Sequence, residues 1–182
     1  MDFGEQPPTD SELVRRARRG DEGAFHQLVD RHAQSLFGLA AALVGDAADA
    51  QDVVQETLAG AYRGLPSFRG QASVKTWLTR ILVRQAAGHY RRERRNAAIG
   101  LDDQSLSMPA GQSAQERADF RMDLGDAIMA LSPEHREVIV LRELRGLSYE
   151  EIADILATPR GTVESRLFRA RRQLQELLKE YL

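Results

Sequence analysis

The sequence predicts an all-α protein of two small helical domains joined by a flexible linker, the C-terminal domain containing a helix-turn-helix. Three observations carry this prediction. Apolar residues recur at three- and four-residue spacing, and no segment shows a sustained two-residue alternation rich in β-branched residues. Residues that start and stop helices punctuate these periodic stretches. Between about 96 and 117 the period is lost, in a run holding Gly100, Asp102, Asp103, Pro109, Gly111 and several Ser and Gln, which reads as a linker.

The elements follow in order. Met1–Asp10 is polar, lacks an apolar secretion core and is expected to be a disordered tail. Thr9-x-x-Glu12 can form a capping box before a short helix that stops near Gly20. Asp21 can cap a second helix running to about Val44, with Gly45 as its stop. Asp46 can cap a third helix ending near Pro66, and the polar loop 67–73 leads to a fourth over about 74–95. The N-terminal domain therefore covers 11–95, the linker 96–117 and the C-terminal domain 118–182. In the latter, Ser132-Pro133 supplies a cap followed by proline at the first helical position. Ser148-x-x-Glu151 is a second capping box, and a turn near Pro159 separates that helix from the last one. Such a helix-turn-helix can seat its second helix in the major groove of DNA.

Composition narrows the function. The 182 residues suffice for one medium or two small domains. There is no cysteine, which excludes disulfides and thiolate metal sites and fits a reducing, cytoplasmic setting. The longest apolar run, about Leu36–Val44, is far shorter than the roughly 20 residues a spanning helix needs, so no membrane insertion is expected. His26, His32, His89 and His135 are scattered without metal-ligand spacing, no phosphate-binding glycine loop is present, and no serine lies in an activating motif. The sequence thus predicts neither an enzyme nor a cofactor or metal.

The net charge is only −2, with 25 Lys and Arg against 27 Asp and Glu, so any nucleic-acid surface must come from uneven distribution. On the last helix Val163, Leu167, Ala170 and Leu174 share one side, while Ser165, Phe168, Arg169 and Arg172 occupy the other, with Thr162 near the start. Guanidiniums can pair with guanine or clamp phosphate, and hydroxyls can contact base or backbone. On the fourth helix Val74, Leu78, Ile81, Leu82 and Gln85 form one face; Arg80, Arg84, Arg91 and Arg95 form another, extended by Arg92 and Arg94, with Trp77 at the border. A basic stripe can track phosphates, and an aromatic beside it can stack on an unpaired base. Phe68 and Arg69 in the preceding loop can add to that surface, whereas His89 falls toward the buried side. The third helix is the opposite case. Asp49, Asp52 and Glu56 share a face opposite Ala50, Val54, Thr57, Ala61 and Leu65, and no Lys or Arg occurs between Gly45 and Ala61. An acidic face repels DNA and suits a basic protein partner.

The most specific pieces are Asp49-Ala-Gln-Asp-Val-Val-Gln-Glu56, Phe68-Arg-Gly, Thr76-Trp-Leu-Thr-Arg-Ile81 and Gly161-Thr-Val-Glu-Ser-Arg-Leu-Phe-Arg-Ala-Arg171. In this order, over about 11–178, they resemble the extracytoplasmic-function (ECF) sigma factors, small bacterial sigma-70-like subunits that keep two conserved sigma domains. The resemblance implies an alternative sigma factor that brings core RNA polymerase to promoter DNA and assists melting. It implies polymerase docking through Asp49, Asp52, Gln55 and Glu56. It implies −10 recognition by Phe68, Arg69, Lys75, Trp77 and Arg80, with Arg84 and Arg91 on the same basic helix and a flipped base held near the loop. It implies −35 recognition by Thr162, Glu164, Ser165, Arg166, Phe168 and Arg169, with Arg160 and Arg172 flanking them. The linker would thread along the polymerase, and an anti-sigma factor would be a further partner. Three residues depart from the family pattern: Arg84 where many relatives carry Asn, Gly88 where many carry Asp, and Glu164 at a position that is often basic. An acid at 164 cannot pair with phosphate but can accept from a cytosine amino group. A free-standing helix-turn-helix regulator is the alternative, and it has no need of the acidic face or the Trp77 helix.

Overall fold

The computed structural model describes residues 7–99 and 124–179. Every regular element among them is helical: α1 (Asp10–Ala17), α2 (Glu22–Val44), α3 (Ala47–Gly64) with a 3-10 turn at Leu65–Ser67, α4 (Val74–Ile99), α5 (124–129), α6 (Pro133–Ile139) running into a π-turn at Val140–Leu144, α7 (Tyr149–Leu156) and α8 (Arg160–Leu177).

Local chemistry sets most of these boundaries. The Thr9–Glu12 capping box forms in full, and Asp21 accepts from the Ala24 amide. Asp46 accepts from the amides of Ala48 and Asp49, which ties off the first turn of α3. Gly45 ends α2 at φ 87°, a backbone conformation that favours glycine, and a Cβ there would also push aside the Met129 side chain, 2.5 Å away at Cε. Ser148 and Glu151 close the second capping box, and hydrogen bonds from the Ser148 amide and hydroxyl hold the Glu151 carboxyl below its ordinary range. Ser132 stands at the N-cap of α6 as expected, but its hydroxyl makes no capping bond; Pro133 alone marks the start.

Two further boundaries differ from expectation. Thr9 and Asp10, expected within the tail, are part of the fold. Pro8 O accepts from Arg31 at 2.9 Å, and Asp10 bonds both Arg31 and His32 at 2.7 Å. Burial alone would raise the Asp10 carboxyl, but these two donors hold it low. Helix α4 continues four residues past its expected end at 95, to Ile99. Residues 1–6, the rest of the expected linker from 100, the expected start of the C-terminal domain at 118–123, and 180–182 lie outside the described residues.

The N-terminal unit packs α1–α4 around Leu13, Leu36, Val53 and Leu82, and the C-terminal unit packs α5–α8 around Val138, Leu141, Ile152 and Leu167; each is at most 2% exposed. Burying one such side chain contributes roughly 1.5–3 kcal/mol. Arg136 joins the two units. The residue is 6% exposed, and its guanidinium donates from Nε to Ile128 O (3.2 Å) and from Nη2 to Met129 O (2.5 Å) and Leu131 O (3.2 Å). From Nη1 it donates to Leu43 O at 2.7 Å, so one side chain serves the open carbonyl ends of both α5 and α2. Arg145 makes a second crossing, to the backbone (3.2 Å) and hydroxyl of Ser35 and to Thr79 Oγ1 (3.3 Å).

Candidate nucleic-acid interface

The helix-turn-helix is built from α7 and α8 with the turn Ala157-Thr158-Pro159. Ala157 adopts φ 49°, ψ 46°, a left-handed conformation usually given to glycine, and stops α7 two residues before Pro159. On α8 Val163, Leu167 and Ala170 are at most 1% exposed, and the residues expected opposite them, Ser165, Phe168, Arg169 and Arg172, are exposed. Phe168 stands out, with 69% of its surface open to solvent. Thr162 is half-buried at the helix start, and the Ser165 hydroxyl donates back to Thr162 O at 3.0 Å. Arg166 differs from expectation. It is half-buried and turned toward α6, where it offsets the burial that pushes the Glu137 carboxyl up. Arg160 and Glu164 are bonded to each other, Nε to Oε1 at 2.8 Å.

The second basic region lies on α4. Trp77 stacks on Phe68 with ring centroids 4.5 Å apart and planes at 24°, and Gly64 leaves room for its far edge. The loop and the helix therefore present one aromatic platform rather than two separate rings. Beside Phe68 opens a recess of about 360 Å³ lined by Arg69, Gly70, Ala72 and Ser73 of the loop and by Asp10, Ser11, Val14, Arg15 and Arg18 of α1. Its volume admits a nucleobase, its walls offer guanidiniums and hydroxyls, and Arg18 is steadied by donating to Pro66 O at 3.2 Å. The α1 arginines escaped the sequence reading because nothing in a short N-terminal helix signals which loop it will face. Lys75 and Arg84 are exposed near this platform, but Arg80 is half-buried, with its Nε buried and unbonded. Arg91, fourteen residues after Trp77 and so roughly 21 Å along the helix, lines a different cavity with Tyr90, Glu134 and Glu137.

Removing the Phe68 ring tests the platform. Phe68→Ala is expected to free Trp77 from its stack, a contact of about 0.5–1.5 kcal/mol beyond area burial. The emission of Trp77, the one tryptophan of the chain, should shift on loss of the stack, and an unchanged spectrum would mean that the two rings do not form one platform.

The acidic face of α3 is less uniform than the sequence suggests. Ala50, Val53, Val54, Thr57 and Ala61 are buried as its inner side, and Asp52, Gln55 and Glu56 are exposed. Asp49 is half-buried, its Oδ1 3.2 Å from His89 Nε2. Asp52, Gln55 and Glu56 share a groove with Gln85, His89 and Arg92 of α4. The last three were placed on other faces in sequence; only the packing of α3 on α4 brings them together. Asp49, His89 and Glu93 form the one His and carboxylate cluster found among the described residues. The ring's two nitrogens face different carboxylates, Nε2 toward Asp49 and Nδ1 toward Glu93 at 3.7 Å, which suits a bridging imidazole better than a single ion. No helix among the described residues is long and apolar enough to cross a membrane.

Comparison with known proteins identifies the family of both units. Residues 28–96 match the family Sigma-70 region 2, and residues 121–174 match Sigma-70, region 4. The chain is 39% identical to the RNA polymerase sigma-H factor of Pseudomonas aeruginosa, with 94% of this chain and 96% of that protein covered. It is 40% identical to the ECF RNA polymerase sigma-E factor of Escherichia coli, over 90% of this chain and 91% of the relative. Among solved structures it resembles the sigma factor RpoE in complex with the anti-sigma factor NepR from Bartonella quintana, at TM-score 0.71, 33% identity and coverage of 85% of this chain and 96% of that one. It also resembles CnrH in complex with the cytosolic domain of CnrY, at TM-score 0.70, 29% identity and coverage of 94% and 97%.

Proposed function

Because the chain belongs to the sigma-70 family, in its extracytoplasmic-function branch, we propose that the three surfaces described above divide the work of an alternative sigma factor between them. The protein binds core RNA polymerase and directs it to promoters through their −35 and −10 elements. It is not an enzyme, since nucleotidyl transfer belongs to the polymerase. The unit α1–α4 is the docking and −10 unit, α5–α8 is the −35 unit, and the segment between them is the linker. The protein works in the cytoplasm, where its polymerase and promoters are.

The groove of Asp52, Gln55 and Glu56 is the docking surface, with Asp49 contributing from its half-buried place against His89. The Phe68–Trp77 platform, the adjoining recess and the basic residues Arg69, Lys75 and Arg84 take the −10 strand as it unpairs. Half-buried Arg80 lends charge from beneath, and Arg91 is too distant to touch the same bases. On α8, Thr162, Ser165, Phe168, Arg169 and Arg172 face the −35 groove, and Arg166 lies at its edge. RpoE is seen with the anti-sigma factor NepR, and CnrH with the cytosolic domain of CnrY, and an anti-sigma factor is assigned as a partner of this chain on the likeness to RpoE.

The separation of charge carries this reading: carboxylates on α3 and guanidiniums on α4 and α8, in a chain of net charge −2. Such a protein binds duplex DNA weakly alone and gains phosphate contacts and orientation on the polymerase. Run-off transcription with core polymerase on genomic DNA tests it. New transcripts should require this protein and share two upstream elements; transcripts indistinguishable from those of core alone would sink the proposal. Within the same assay, Arg169→Ala is expected to weaken promoter binding by about 1–3 kcal/mol if its guanidinium pairs with a base. Unchanged affinity on a promoter fragment, read by filter binding, would make Arg169 a solvated surface residue.

A further inference from the structure

Arg160 opens the recognition helix, where a free guanidinium would ordinarily clamp phosphate. In the structure it is already engaged. Its Nε donates to Glu164 Oε1 at 2.8 Å, one turn along α8, and its Nη1 donates to Glu150 Oε1 in the first turn of α7. The three side chains remain 60%, 45% and 61% exposed, so the network lies on the surface at the mouth of the helix-turn-helix. Exposed ion pairs of this kind contribute only about 0–1 kcal/mol to folding. Stability therefore gives little reason to place two carboxylates around one guanidinium. Together the three groups carry one net negative charge, at a helix start where a DNA reader ordinarily gathers positive charge. The Glu164 carboxylate has used one oxygen on Arg160 and keeps the other. Phe168 follows one turn later in the same surface recess as Glu164, so this edge of α8 is open rather than packed.

We infer that Arg160 is a positioning residue rather than a phosphate clamp: it holds the Glu164 carboxylate so that its free oxygen accepts from the exocyclic amino group of a cytosine in the −35 element. The chemistry follows from the groove. Cytosine offers an N4 amino donor to the major groove, and a carboxylate is the side chain that accepts from it. Guanine O6 and thymine O4 are acceptors and would be repelled by the same oxygen. Glu150 completes the arrangement from α7. Its charge, which would otherwise face the DNA backbone unpaired, is neutralised by Arg160, and the bond fixes the guanidinium from its far side. This inference rests on the assignment of α8 to the −35 element.

The test uses holoenzyme, full-length chain with core polymerase, on a promoter pool randomised across the −35 element. Wild type is expected to select cytosine at one position by on the order of tenfold or more. Glu164→Gln should move that single preference toward adenine, because an amide can pair with adenine N6 and N7, and should leave the other positions unchanged. Arg160→Ala should relax the same position several-fold, while the slope of log affinity against log salt stays as in wild type. A phosphate clamp behaves differently: its loss lowers that slope by about 0.9 and leaves base preference alone. Either that result, or an unchanged base preference in Glu164→Gln, overturns the inference. A wild-type holoenzyme with no −35 preference at any position would overturn the assignment of α8 itself, a separate and distinguishable failure.

Discussion

Asp52→Arg is expected to weaken binding to core RNA polymerase by more than about 100-fold, on the order of 3 kcal/mol. Asp52 is exposed in the middle of α3, beside Gln55 and Glu56, and makes no ion pair among the described residues. Reversal removes an attractive charge and brings a like charge against a basic partner, and like charges facing each other across an interface cost several kcal/mol. The fold should be spared. Asp52 is past the first turn of α3, so its carboxylate does little for the helix dipole, and arginine is a better helix former than aspartate. Size-exclusion co-elution with core polymerase reads the loss, and far-UV circular dichroism reads the fold. Normal co-elution would remove α3 as the docking surface. Glu56→Arg should behave alike, whereas Asp49→Arg should also perturb the fold, because it breaks the half-buried contact with His89.

Arg136→Met is expected to cost about 3 kcal/mol in the C-terminal unit. Methionine keeps the aliphatic bulk but abandons four carbonyls, those of Ile128, Leu131 and Leu43 in buried bonds and that of Met129 in a partly buried one. A buried acceptor left without a donor costs about 1–3 kcal/mol, and water entering at the partly open Met129 edge recovers some of it. Burial pushes the Arg136 guanidinium below its ordinary value, with Tyr90 and Glu137 opposing, and an arginine stays charged inside a protein all the same. In a unit of this size each kcal/mol moves Tm by about 4–8 °C, so calorimetry should show the C-terminal transition lower by roughly 12–24 °C. Arg136→Lys should recover part of the loss, since one ammonium cannot reproduce the planar fork. A transition within about 3 °C of wild type would mean that the carbonyls find other donors.

Much of the candidate site was legible because helical spacing is a short-range property. Apolar residues three and four apart fixed which side of α8 and of α3 turns inward, so the exposure of Arg169 and of Asp52 followed without coordinates. The caps at Thr9, Asp21, Asp46 and Ser148 were legible for the same reason, as each rests on a side chain reaching an amide two or three residues away. Sequence was less informative where a long side chain could choose between neighbours. Arg80, read on the basic face, and Arg166, given a contact by the resemblance, are both half-buried. A guanidinium reaches far enough that its backbone position alone does not settle where its charge ends up.

The sequence by itself determined the helical class, most helix starts, the inward faces and the segregation of acidic from basic helices, because these depend on residues within about one or two helical turns of each other. Only the tertiary structure decided what meets across elements. It brought α1 to the Phe68 loop to close a recess, stacked Phe68 on Trp77, set His89 against Asp49, and gave Arg136 the carbonyl of Leu43, 93 residues away in sequence, beside those of α5. It also joined Glu150 to Arg160 across the turn. The physical reason is range: periodicity reports the direction a side chain leaves its own helix, and only packing determines which partner stands there.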